Sequence, residues 1–195
     1  MTLLRTFLSI LFSLFFGTLL GLVIGYFEKQ GTSLENTMDF LRSIPPIALF
    51  PLFILFFGLG DLSKISVSAF TGTLIVTLSG IYGIKQINKN HIKLAKKLGI
   101  KGKKLITGLL LPESLNTLFG GYRIAASFCL VFIIVTEMFL GGAEFGLGRK
   151  LIDAQMLFDT PQLYALIFTL GIIGYSLNKL FILLENKIIH WRGHY

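Results

Sequence analysis

Arg123 and Glu137 bracket an uncharged run of 13 residues in the second half of the chain. Thirteen helical residues cover only about 20 Å at 1.5 Å each. A membrane crossing here must therefore begin near Ser114 or run on toward Gly141. Either way it carries an ionisable side chain at its edge, and such groups face a protein interior or a wet cavity. For Glu137 a plain interfacial position and a paired one inside the protein both remain open. His190 and His194 are four apart, which puts two ligands on one helix face, but a zinc site needs further donors and none is nearby. Cys129 is the single cysteine, which excludes an intrachain disulfide and a cysteine-based metal site. The chain has no P-loop, HExxH, GxSxG or paired-cysteine motif. No cofactor and no metal are expected. An intramembrane enzyme built on Glu137, Asp153 or a histidine would need a nucleophile–base constellation that the sequence does not offer.

The elements that position these residues follow from composition. The chain has 195 residues, 53% of them apolar and 14% charged, and a mean hydropathy of +0.75. Soluble domains carry about 25% charged residues. One all-α integral membrane domain is expected, with about five spans near 7–27, 43–60, 65–84, 114–140 and 160–184, because about 20 apolar residues cross a bilayer core and backbone groups in lipid must bond within their own segment. No ten-residue alternating strands of a barrel are seen. The first run is too long for a signal-peptide core, so no cleaved leader is expected. The net charge of +8 reflects lysines clustered beside apolar runs, which argues for membrane topology and against nucleic acid. Residues 85–104 hold eight lysines and no acid. That loop should be cytoplasmic, which puts the N-terminus outside and the basic C-terminal tail inside.

Local signals refine this outline. Gly17, Gly21 and Gly25 repeat every four residues and predict close helix packing. Pro45, Pro46 and Pro51 start or kink the second span, at the inner mouth of a pathway or at a hinge. The loop 85–112 reads as amphipathic helices interrupted at Gly99 and Gly102, suited either to anionic lipid or to a cytoplasmic partner. Gly141 to Gly148 reads as a glycine-rich exterior turn that lacks the Gly-Lys-Ser/Thr ending of a phosphate loop.

At the basic loop the sequence resembles the permeases of bacterial ATP-binding-cassette importers. Their cytoplasmic motif runs E-A-A, three residues, G, nine residues, I-x-L-P. Here Lys93, Leu94 and Ala95 stand at its start, Gly99 at the glycine, and Leu109, Leu111 and Pro112 at its end; only the final alanine of the opening triplet is kept. Leu41–Ala48, Pro51-Leu52, Phe57–Gly60, Gly121–Arg123, Thr136–Met138, Gly146–Gly148 and His190–Arg192 resemble the nitrate/sulfonate/taurine branch, so the match covers nearly the whole chain. Members of that branch commonly have one further N-terminal span. The resemblance implies a multi-pass subunit of the bacterial cytoplasmic (inner) membrane that does no covalent chemistry. Two copies, expected as a homodimer, would form the path. Cytoplasmic ATPase subunits would hydrolyse ATP and dock on the coupling loop, with Lys93, Ala95, Leu98, Gly99, Leu109, Leu111 and Pro112 as its coupling residues. An extracytoplasmic substrate-binding protein would deliver a small solute, an anion such as nitrate, sulfonate or taurine. Pro45, Pro46, Arg123, Glu137, Gly146 and Gly148 are the candidates for the translocation path. Gly99 is expected to permit a turn, and Pro112 to break the loop from the fourth span. A passive channel is the rival reading, and it would leave the basic loop unexplained.

Overall fold

The computed structural model describes residues 1–29, 37, 40–41, 43–139 and 145–189. The mixed-charge loop, the start of the glycine-rich turn and the tail with His190, Trp191, Arg192 and His194 lie wholly or largely outside them. Seven helices are used below: α1 Thr2–Lys29, α2 Phe50–Phe57, α3 Asp61–Gln86, α4 Lys89–Lys97, α5 Lys103–Phe139, α6 Leu147–Met156 and α7 Thr160–Ile188. No strand occurs among the described residues. Four of the helices, α1, α3, α5 and α7, are long and apolar enough to cross a membrane.

The expected second span takes a different form. A 3₁₀ turn, Pro46–Leu49, leads into the eight residues of α2. Together they make a shorter apolar segment, Pro46–Phe57, about 18 Å long even at full helical rise. The prolines explain the brevity. Each lacks an amide donor, so Pro46 and Pro51 are placed at helix starts, and Gly58 ends α2 with φ +76° while its N–H closes on the Ile54 carbonyl at 2.7 Å.

The core is the crossing of α1, α3 and α5. Gly17, Gly21 and Gly25 face α3, and Gly21 lies against Gly80: a Cβ on Gly21 would sit 2.8 Å from the Thr77 carbonyl and 3.0 Å from the Gly80 Cα. Small residues here let two backbones meet, the closest packing available to helices in lipid. Hydroxyls serve the same crossing by returning their protons to carbonyls. Ser13 donates to Ser9 O (2.7 Å) and to Ala69 O of α3 (3.0 Å), and Ser68 donates to Cys129 O of α5 (3.0 Å). Helix α7 packs on α5 and α6 and leaves most of its apolar surface open.

Gly21→Ala should therefore force α1 and α3 apart and cost about 1–3 kcal/mol, the usual cost of overpacking. Gly171→Ala, where nothing lies within 4 Å of the added methyl, should stay within about 0.5 kcal/mol of wild type. Thermal unfolding of both variants in detergent checks the contrast, and equal melting would refute the packing account.

Candidate functional site

The basic loop folds into α4 and the first turns of α5. Ala95 turns inward and packs with Leu22, Ile84, Ile87, Leu105 and Leu110, which seats α4 on the ends of α1, α3 and α5. The helix then stops in a Schellman arrangement: the Ile100 N–H bonds back to Ala95 O at 2.9 Å, and Gly99 takes φ +74°. That conformation is natural only for a residue without a Cβ. Gly102, at φ +56°, completes the reversal into α5.

On the outer side of α4, Leu94 is 58% exposed and Leu98 69% exposed. They line an apolar groove of about 280 Å3 with His91, Ala95, Ile100 and Leu109. Lys93 is exposed on the same helix outside the groove, Gly99 lies in the turn, and Leu111 packs underneath against the Ala95 cluster. Pro112 does not break the helix as expected. Helix α5 runs through it, with residues Ile106–Leu110 in a π-helical turn immediately before. A proline ring collides with the carbonyl four residues back in a regular α-helix, and the wider π turn relieves that collision without ending the helix. Just beyond, Glu113 accepts His91 Nδ1 at 2.8 Å and ties α4 to α5.

At the opposite end of the bundle a second group of residues gathers around a buried carboxylate. Glu137, near the end of α5, is 0% exposed. Its carboxylate accepts the Thr2 hydroxyl (3.0 and 2.9 Å to its two oxygens), Nη1 of Arg5, and the Gly148 N–H at 3.1 Å. Arg5 also donates to Phe145 O (3.2 Å), and its Nη2 meets Asp61 of α3 at 2.8 Å. The Thr2 hydroxyl in turn accepts the Leu147 N–H at 2.8 Å. Glu137 thus sits at the N-terminus of α6, where free amides and the helix dipole favour an anion. Gly146 and Gly148 leave room for it. A Cβ on Gly146 would enter the Glu137 carboxylate, and one on Gly148 the Ile134 carbonyl.

The structure thus gathers Glu137, Gly146 and Gly148, and adds Thr2, Arg5 and Asp61, which the sequence analysis did not single out. The visible signal was Arg5 and Asp61 standing at the first turns of two apolar runs. Arg123 belongs to neither group: it is half-exposed on α5, 3.8 Å from Glu185 of α7. Pro45 and Pro46 stand apart from both, at the start of the 3₁₀ turn.

A family model described as "Binding-protein-dependent transport system inner membrane component" matches residues 13–189. Among characterised sequences the chain is 27% identical over 179 residues to the candidate aliphatic sulfonates transport permease protein SsuC of Bacillus subtilis, covering 92% of this chain and 64% of that one. It is 30% identical to the nitrate import permease protein NrtB of Synechococcus elongatus, covering 84% and 59%. It is 31% identical to the formylaminopyrimidine transport permease protein ThiX of Halalkalibacterium halodurans, covering 92% and 71%. The chain spans about two thirds of the length of these relatives. A chain of the MetNI methionine ABC transporter in an inward-facing conformation shares the fold, with TM-score 0.83 at 19% identity over 96% of this chain and 92% of that one.

Proposed function

The chain belongs to the family of binding-protein-dependent transport system inner membrane components, and from that premise we propose that it is the membrane-spanning permease subunit of an ATP-driven importer for a small anion. The relatives named for sulfonate and nitrate support the anion class. The observation that carries the coupling role is the α4 groove: large apolar side chains exposed on a lysine-rich helix too short and too polar to enter lipid. Such a surface suits a cytoplasmic ATPase subunit, with apolar side chains filling the centre of the contact and lysines at its rim. On this reading the lysine-rich end is cytoplasmic, the N-terminus lies outside and the C-terminus inside, in the bacterial inner membrane. Two copies form the path, a substrate-binding protein delivers solute from outside, and ATP is hydrolysed by the partner subunits.

The mechanism follows from how α4 is held. Its inward face is fixed by Ala95 and its first turn by Glu113, so a displacement of α4 reaches α3 and α5 together. The Glu137–Arg5 cluster locks the far ends of α1, α3, α5 and α6 to one another, so these helices tilt as one body. ATP shifts the balance between inward- and outward-facing forms only through contacts that differ between them. The test is uptake. Proteoliposomes holding the chain with its ATPase and binding protein should accumulate nitrate or an alkanesulfonate only with ATP. Equal flux without ATP would mean a channel.

A further inference from the structure

The buried and open faces of α5 divide cleanly. Ser114, Leu118, Gly121, Ala125, Cys129 and Ile133 are buried against the bundle. The opposite stripe, spaced three and four residues apart, is open at Asn116, Ser127 and then Val131 and half-open at Gly120 and Arg123. Its composition changes along its length. From Asn116 to Ser127, about 16 Å of helix, it carries polar side chains beside the exposed Ile124. Beyond Ser127 the stripe continues with Val131 and no further charge before Glu137. The half from Asn116 to Ser127 opens into a recess of about 470 Å3 whose lining is mostly apolar, from Ile124, Phe128 and Gly120, and which carries the Arg123 guanidinium, the Ser127 hydroxyl and the Asn178 carboxamide of α7. A separate recess of about 340 Å3, nearer the lysine-rich end, is lined by Asn116 and Thr117 together with Gln86, Asn88 and the acid Glu113. Lipid is a poor neighbour for this surface. A guanidinium and carboxamides within a spanning helix face a protein interior or water.

We infer that the open face of α5 from Asn116 to Ser127, with Asn178, is the solute-facing wall of the inner half of the path, and that it takes a small oxyanion. This rests on the permease reading above. The wall offers one guanidinium and three neutral hydrogen-bond donors, Asn116, Asn178 and Thr117, while the Ser127 hydroxyl turns back to the Arg123 carbonyl at 3.1 Å; this suits an ion carrying one charge over several oxygens. Glu185, 3.8 Å from Arg123, offsets part of its charge. A transit site must bind well enough to admit the ion and weakly enough to release it, and a guanidinium shared with a carboxylate meets both conditions.

Cysteine reactivity tests the wall in the assembled transporter in nanodiscs. Ser127→Cys is nearly isosteric, and nothing lies within 4 Å of a Cβ at Gly120, so Gly120→Cys also fits. Wild type, with Cys129 buried, gives the background. Both variants should react with the anionic sulfonatoethyl methanethiosulfonate at least ten-fold faster than Phe15→Cys on the apolar face of α1. The preference for this reagent over its trimethylammonium counterpart should vanish when Arg123→Gln is added. Reactivity at Ser127→Cys as low as at Phe15→Cys would overturn the inference. So would oxidative cross-linking of Ser127→Cys between two copies without labelling, which means that a second copy covers the face, and so would labelling with no charge preference. Failure of ATP-driven uptake by wild type would instead strike the permease reading, while the labelling pattern still reports whether this face is wet.

Discussion

Glu137→Ala should remove about 3–5 kcal/mol of stability, the cost of breaking a buried ion pair by deleting one partner. The carboxylate accepts hydrogen bonds from Thr2 and Arg5 of α1 and from the Gly148 amide of α6, and through Arg5 it is tied to Asp61 of α3. Truncation leaves the Arg5 guanidinium buried with only the half-exposed Asp61 as its ion partner, and strips acceptors from the Thr2 hydroxyl and the α6 amide. For a chain of this size the loss corresponds to a fall of about 10 °C in melting temperature. Glu137→Gln keeps an oxygen for Thr2 and Gly148 and should fall between the two. The double variant Arg5→Met with Glu137→Met, which removes both charges, should recover much of the loss, because a buried pair replaced by apolar groups is often near neutral. Thermal unfolding in detergent of the four proteins checks this order. A Glu137→Ala protein that melts with wild type would show that the cluster holds nothing together.

This cluster also marks the limit of what the sequence discloses. Glu137 is conspicuous as an acid beside an apolar run, and Gly146 and Gly148 are conspicuous as glycines. Their connection is not visible, because Arg5 and Glu137 are 132 residues apart and nothing local predicts that the start of α1 meets the end of α5. The glycines read as a flexible turn when their reason is steric: a carboxylate and a carbonyl occupy the space of their side chains. The spanning helices are legible to a different degree. Long uncharged runs identify α1, α3 and α7, since lipid leaves no alternative conformation for such segments. Residues 43–60 are legible as apolar but not in helix length, because the prolines and Gly58 limit the helix there to Pro46–Phe57. The start of α5 is hidden for the opposite reason. Lysines at 101, 103 and 104 look like loop, and Pro112 looks like a break, yet a π turn carries the helix from Lys103 past the proline. The glycine-to-proline spacing of the basic loop is readable at once, and the positive φ at Gly99 gives its physical reason.

The second large effect is expected at the groove. Leu94→Asp with Leu98→Asp places two carboxylates on side chains that stabilise nothing within this chain, since both are exposed. The fold should therefore hold, with melting inside about 0.5 kcal/mol of wild type. Contact with a partner should not hold: fully burying a leucine side chain is worth about 1.5–3 kcal/mol, and the carboxylates that replace the two would have to be desolvated at the contact, so binding should fall by about a thousand-fold and ATP-driven uptake with it. Gly99→Trp probes the same surface from the turn. It meets no neighbour within 4 Å of its Cβ but is forced into a left-handed backbone that only glycine adopts freely.

The most direct measurement is co-purification of the solubilised chain with its cognate ATPase, expressed together, for wild type and the Leu94→Asp/Leu98→Asp variant. The wild-type chain should carry the ATPase through purification and the variant should lose it while remaining monodisperse. A stable wild-type chain that retains no ATPase, or a variant that retains it undiminished, would contradict the assignment of α4 as the coupling surface.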